Sequence, residues 1–247
     1  MKKEYKVVVE GQTYGVVVSD ENKALLAAGA DRRAFIGLWR DGRDLPGARY
    51  VVESEEVLTQ DYLERVVRRT LGLPWHIAET KRLLIREFQP GDEKQIPKEP
   101  EDREADAVFR SEEELREYIR CQYGFFQYGI WAVVHKKTGK LVGKAGVANL
   151  QWTLEEGGEQ AGHVSGLELG YHIFAPYRRK GYGREACQAV LAWCREELDS
   201  PKVYAKIDAS NEASIHLARK LGFRLTGQKY IESGQCHCLY EWNCQGE

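Results

Sequence analysis

The sequence predicts a mixed α/β chain in two parts. A small Rossmann-like β-α-β unit is expected over residues 1–76. A larger domain follows over residues 77–247, with a mixed, largely antiparallel, splayed sheet and flanking helices. Three observations carry this expectation. Runs that alternate with period two, such as Lys202 to Ile207, are interleaved with amphipathic stretches of helical spacing, such as Gly183 to Leu198. Turn signals such as Lys137-Thr138-Gly139-Lys140 separate strand-like runs closely enough to make hairpins. Finally, Gly166 to Gly183, GLELGYHIFAPYRRKGYG, reads as a buried strand that breaks into a basic, glycine-containing loop and then opens a helix.

The bulk properties bound the function. The chain has 247 residues, with 36 basic against 38 acidic side chains and a formal charge of −2, which argues against broad electrostatic capture of nucleic acid. No run approaches the ~18 apolar residues of a membrane span. The opening MKKEYKVVVEGQ lacks the apolar stretch of a signal peptide, so a soluble, cytoplasmic protein is expected. Cys187 and Cys194 fall on the apolar stripe of a helix, where thiols act as small core groups. Cys236-His237-Cys238 would put two thiols on one strand face, but structural zinc sites favour CxxC knuckles, so no metal is expected.

In the first part, Tyr14 to Val18 is a strand, and Asp20 is a plausible cap for a helix over Glu21 to Ala28 that Gly29 would end. Phe35 to Trp39 and Arg49 to Val52 follow as strands. Thr59 to Leu71 is a helix with Leu63, Val66 and Val67 at helical spacing. The stretch VVVSDENKALLAAGADRRAFIGLW is similar to the closing strand-helix-strand of haloacid-dehalogenase-type hydrolases. The early Asp-x-Asp motif of such hydrolases is absent, and Asp20 then reads as a helix cap rather than a metal ligand. The unit is expected to be an accessory domain without catalysis of its own.

In the second part, Thr80 to Glu87 reads as the first strand. Gln89 to Asp106, QPGDEKQIPKEPEDREAD, has the composition of a solvated, mobile loop. Ser111 caps a helix that should run to about Tyr123, and strands flank the turn at Lys137 to Lys140. Glu155 to Gly166, with four glycines, reads as a flexible connection.

Along Leu167 to Ile173, alternation puts Leu167, Leu169, Tyr171 and Ile173 on one face and Glu168, Gly170 and His172 on the other. Pro176 cannot donate to a ladder, so the strand must stop or splay there. In the loop beyond, Gly181 and Gly183 let the backbone approach an anion, the helix start adds partial positive charge, and Arg178, Arg179, Lys180 and Arg184 add donors. A glycine turn with a solvated basic rim is the bland alternative. Asn211 opens a short helix that Gly222 closes, and two antiparallel strands end the chain.

With Arg178-x-x-Gly181-x-Gly183 followed by NEASIHLARKLGF, the chain resembles the GCN5-related N-acetyltransferases (GNAT), and within them the branch containing ribosomal-protein N-terminal acetyltransferases. The resemblance implies acetyl-coenzyme A as cosubstrate and a primary amine, on a small molecule or a protein N-terminus, as acceptor. It implies that the backbone around Ile173, Phe174 and Ala175 pairs with the pantetheine arm. Arg178, Arg179, Lys180, Gly181, Tyr182, Gly183 and Arg184 would hold the pyrophosphate, with Asn211 and Ser214 beside the acetyl-bearing end. Many members carry a tyrosine seven residues after the asparagine as acid to the thiolate. Here that position is Ala218, which leaves Ser214 as the candidate donor, or simply a helix serine satisfying local backbone. Glu168 is the first candidate base and His172 the second. The alternative function is a coenzyme-binding sensor or assembly module without turnover. A homodimer is compatible with the reading, and neither nucleic acid nor membrane is expected as a partner. The acceptor itself has no readable code.

Overall fold

The computed structural model describes residues 2–40, 42–99, 104–153, 163–198, 200, 202–232 and 235–243, and the chain divides into two compact units. The first comprises residues 1–75 with two later segments, 88–91 and 111–127. Its four-stranded sheet has the order β1 (Lys2–Val9), β2 (Gln12–Ser19), β3 (Ala34–Leu38), β4 (Val51–Val52). The expected β-α-β lies in β2, α1 (Asn22–Ala30) and β3, with β2-β3 and β3-β4 parallel. An additional strand, β1, turns through Glu10 and Gly11, both at positive φ, and joins β2 antiparallel. Its lysines conceal it, because a strand buried on one side needs an apolar residue only at alternate positions, here Val7 and Val9.

Both faces of β2 are covered, which explains its unalternating valine run. Val16 and Val18 pack with Leu63, Val66 and Val67 of α2 (Gln60–Thr70), whereas Val17 points the other way and is equally buried. Thr59 caps α2 by accepting from the Tyr62 N–H at 3.1 Å. Two capping expectations for α1 do not hold. Glu21, not Asp20, occupies the N-cap, with its own N–H donating to Ser19 Oγ at 3.1 Å. Gly29 lies inside the helix, where a Cβ would meet the Phe35 ring at 3.1 Å, so it serves close packing rather than ending the helix. Ser111 caps α3 (Glu112–Tyr118) as expected, but the helix then widens into a π-helix, Ile119–Phe126, which stops at left-handed Gln127.

The second unit comprises residues 76–87, 92–110 and 128–247. Its eight strands are β5 (His76–Glu79), β6 (Leu83–Arg86), β7 (Ile130–His135), β8 (Leu141–Thr153), β9 (His163–Ile173), β10 (Lys202–Asp208), β11 (Arg224–Glu232) and β12 (Gln235–Asn243). They are ordered β11-β12-β10-β9-β8-β7-β6-β5. Every neighbouring pair is antiparallel except β9 and β10, which α4 (Tyr182–Glu197) connects. Ala186, Cys187, Val190 and Cys194 of α4 are buried, and α5 (Glu212–Lys220) lies beside β10.

The acidic segment after β6 departs from expectation as far as it is described. Asp92 is 2 % exposed and makes a two-pronged ion pair with Arg86, at 2.7 and 2.9 Å. The side chain of Glu99 is also buried. Prolines and charges suggested solvent because composition does not show that Asp92 and Glu99 find charged partners. Residues 100–103 of this segment and 155–162 of the expected connection lie outside the described residues, and the end of that connection, His163 to Gly166, belongs to the paired strand β9 instead.

Candidate functional site

The site is opened by a parting of two parallel strands. β9 and β10 pair only at Leu167 with Val203 and Glu168 with Tyr204. Beyond Glu168 they separate, enclosing a cleft of about 1050 Å³. The parting begins earlier than Pro176, directly after Glu168, while on its other side β9 continues to pair with β8 as far as Ile173. The Phe174 N–H donates to the Val142 carbonyl on the β8 side, at 3.0 Å. By alternation, Leu169, Tyr171 and Ile173 turn their N–H and C=O groups towards the open edge.

At the end of that edge the chain makes a short 3₁₀ turn, Ala175–Tyr177, and enters α4 through two left-handed residues, Arg179 (φ 59°) and Gly181 (φ 80°). Gly181 stands at the N-cap of α4, and the Glu185 N–H closes the first turn onto its carbonyl. The amides of Tyr182, Gly183 and Arg184 have no intrahelical acceptor and line the cleft mouth.

The expected cations divide into two groups. Arg178 is exposed but tied down: its Nε donates to the Ile173 carbonyl at 2.7 Å, and its Nη2 pairs with Glu99 and lies 2.9 Å from His172 Nε2. Lys180 Nζ donates to the Pro176 carbonyl at 2.9 Å. Arg179 and Arg184 are exposed along the cleft. Glu99 gathers three groups, accepting from the Ala175 N–H at 2.7 Å, from Arg178, and lying 2.8 Å from His172 Nε2. Of the residues expected along the pantetheine, Ile173 therefore turns its N–H to the cleft while Arg178 takes its carbonyl, Phe174 spends its amide on β8, and the Ala175 amide is held by Glu99.

Glu168 sits at the apex of the parting. The β-pleat puts it on one face with Lys144 and His172, and across the gap with Lys206 and Asp208 of β10; all five line the cleft. Lys144 is only 4 % exposed, with its ammonium 4.5 Å from the Phe109 ring centroid. A lysine inside the apolar run Leu141 to Val147 was a visible signal that something polar lay at that depth.

On the opposite wall Asn211 caps α5, its Oδ1 accepting from the Ser214 N–H at 3.0 Å. Ser214 lines the cleft, and its carbonyl accepts from the Tyr171 hydroxyl at 3.4 Å. Burial pushes the Tyr171 phenol up to about 12, outweighing the bond to Ser214, so it is protonated at neutral pH. Tyr171 was read as a core residue, but the opening of the sheet gives its hydroxyl to the cleft. Ala218 is buried on the inner face of α5.

Three residues that the sequence did not single out stand behind the loop. Glu185 accepts from the Thr80 hydroxyl at 2.6 Å, the Arg82 N–H at 2.9 Å and Arg82 Nε at 2.7 Å. Burial works against ionised Glu185, yet the Thr80 and Arg82 bonds together hold its carboxyl below the usual range. Arg82 Nη1 also donates to the Lys180 carbonyl at 2.8 Å, and its guanidinium lies 4.5 Å from the Tyr182 ring centroid.

Among known proteins, residues 82–224 match the family model described as an acetyltransferase (GNAT) domain. The uncharacterized N-acetyltransferase YnaD of Bacillus subtilis is 28 % identical over 165 residues, covering 63 % of this chain and 88 % of YnaD. The uncharacterized protein YkkB of the same organism is 31 % identical over 97 residues, which is 38 % of this chain and 51 % of YkkB; that match thus spans about half of YkkB's length. The fold is shared with the ribosomal-protein-S5-alanine acetyltransferase of Vibrio fischeri (TM-score 0.52, 18 % identity, 70 % of this chain and 97 % of that one). It is also shared with a GNAT-family acetyltransferase of Bacillus anthracis (TM-score 0.50, 23 % identity, 68 % and 98 %).

Proposed function

The chain belongs to the GNAT acetyltransferase family, and from that premise we propose that it transfers the acetyl group of acetyl-coenzyme A to a primary amine by direct attack. The observation that carries this reading is the continuity of the open β9 edge with the loop at Gly181. An extended amide-bearing arm pairs with a strand edge, and a diphosphate sits on helix N-terminal amides, so one ligand carrying both fits the cleft end to end.

In this reading Ile173, Tyr171 and Leu169 offer the strand edge. Arg179, Gly181, Tyr182, Gly183 and Arg184 receive the pyrophosphate, with Arg178 and Lys180 bracing the loop through the Ile173 and Pro176 carbonyls. The thioester comes to rest between the apex and α5, near Asn211 and Ser214. Backbone N–H groups on the open edge face the developing oxyanion. Glu168, at the apex, takes the proton of the attacking amine, directly or through water. His172 ranks behind it, because Glu99 and Arg178 already engage its Nε2. An α-amine with a pKa near ~8 asks less of this base than a lysine-like amine near ~10.4. The thiolate leaves after protonation, with Ser214 as the proposed donor.

The test follows free thiol released from acetyl-coenzyme A across a panel of amines, alongside thermal stabilisation by coenzyme A. We expect amine-dependent thiol release, and loss of stabilisation in Gly181→Glu, where a carboxylate would enter the cradle. Stabilisation without thiol release from any amine would favour the coenzyme-binding module, a reading that Ala218 motivates. No stabilisation of the wild type would overturn the coenzyme site altogether.

A further inference from the structure

The structure assigns Arg82, on the turn between β5 and β6, as a positioning residue for the anion-binding loop some hundred residues further along the chain. The inference rests on the proposal that this loop receives the coenzyme's pyrophosphate, and it concerns what keeps the loop receptive.

Two features of the loop work against anion binding. The first is conformational. Arg179 and Gly181 are both left-handed, and for a side-chain-bearing residue that conformation is costly, so the loop does not hold its shape by local preference. The second is electrostatic. Glu185 stands in the first turn of α4, where a carboxylate favours the helix itself but repels a second anion arriving at the same N-terminus.

Arg82 answers both. Its Nη1 donates to the Lys180 carbonyl at 2.8 Å, which pins the peptide between the two left-handed residues. Its Nε and Nη2 form a fork on Glu185 Oε2, at 2.7 and 2.6 Å, while Thr80 and the Arg82 amide take Oε1. The carboxylate is thereby saturated and its charge offset on the side away from the cleft. The guanidinium stacks over Tyr182, the first residue of α4, and a Cβ at position 181 would lie 3.3 Å from Nη2, so the group abuts the N-cap itself. Lysine could reach Glu185 but could not fork onto it while also holding the Lys180 carbonyl.

The experiment uses the full-length chain and measures Kd for coenzyme A by calorimetry, together with kcat and KM for acetyl-coenzyme A and for S-acetylpantetheine, which lacks the diphosphate. Arg82→Gln should weaken coenzyme A binding and raise KM for acetyl-coenzyme A by about tenfold or more, with kcat little changed. Kinetics with S-acetylpantetheine should not change. Arg82→Lys should recover part of the loss. Glu185→Gln added to Arg82→Gln should also recover part, because it removes the charge left uncovered. If Arg82→Gln fails to fold, Arg82→Lys and its double variant with Glu185→Gln make the same comparison. A Kd within about twofold of wild type overturns the inference, as does an equal rise in KM for both donors, which would mean general loosening. Wild-type protein that binds no coenzyme A would instead overturn the function on which the inference rests.

Discussion

At the scale of single residues, the site combines groups that already have structural partners with groups left facing the cleft. Arg178 and Glu99 show the difference between a charge and its use. The sequence offers Arg178 as a phosphate ligand, while the fold spends it on the Ile173 carbonyl, Glu99 and the neighbourhood of His172. Asn211 has a visible structural duty, since its side chain accepts from the Ser214 N–H. Asn211→Ala should therefore cost about 1 kcal/mol in a denaturant titration. Asn211→Asp keeps a capping oxygen and loses the amide donor. If the amide also touches the coenzyme, that variant should hold its stability while KM for acetyl-coenzyme A rises; an unchanged KM would limit Asn211 to capping.

At the scale of elements, the site depends on where strands stop pairing. β9 is held firmly on one side by β8 and released on the other after Glu168, so the same strand gives rigidity and an open edge. β8 in turn needs close backbone approach to β7. A Cβ on Gly146 of β8 would overlap the Gly129 carbonyl oxygen and come 2.7 Å from Ile130 Cα. The backbone cannot yield there without breaking the β7-β8 ladder. Gly146→Ala should lower stability by about 1–3 kcal/mol, read as a reduced Tm, with coenzyme binding weakened in the same variant. The loop into α4 is tied in a similar way by a different element, the β5-β6 turn, through Thr80 and Arg82.

At the scale of the molecule, the compact units do not follow chain order. Residues 111–127 belong with the first seventy-five, and within that unit Arg69 donates to Gln127 Oε1 at 2.7 Å. Leu115 and Tyr123 of the segment are fully buried. Expressed as residues 77–247, the chain is expected to leave that segment without part of its packing. Binding of a hydrophobic dye, or a broadened thermal transition relative to the full chain, would show it; a sharp transition at the full-length Tm would argue that the larger domain stands alone.

The local signals were legible where each element could satisfy itself. Thr59, Ser111 and Asn211 cap the helices they precede, Gly222 closes α5 at φ 92°, and the alternation of Val203, Ala205 and Ile207 marks a core strand. The strand-loop-helix at Gly166 to Gly183 was legible too, because a glycine-bearing turn between a strand and a helix leaves few other arrangements. What the sequence by itself determined, then, was the family and the strand-loop-helix on which the anion site is proposed. Tertiary structure decided which side chains face the cleft. Tyr171 left the core because β10 departs, Arg178 is tied to Glu99 and the Ile173 carbonyl, and Arg82 reached the loop from the β5-β6 turn. Partners brought together over such distances obey packing and charge balance, and neither leaves a local pattern in the chain.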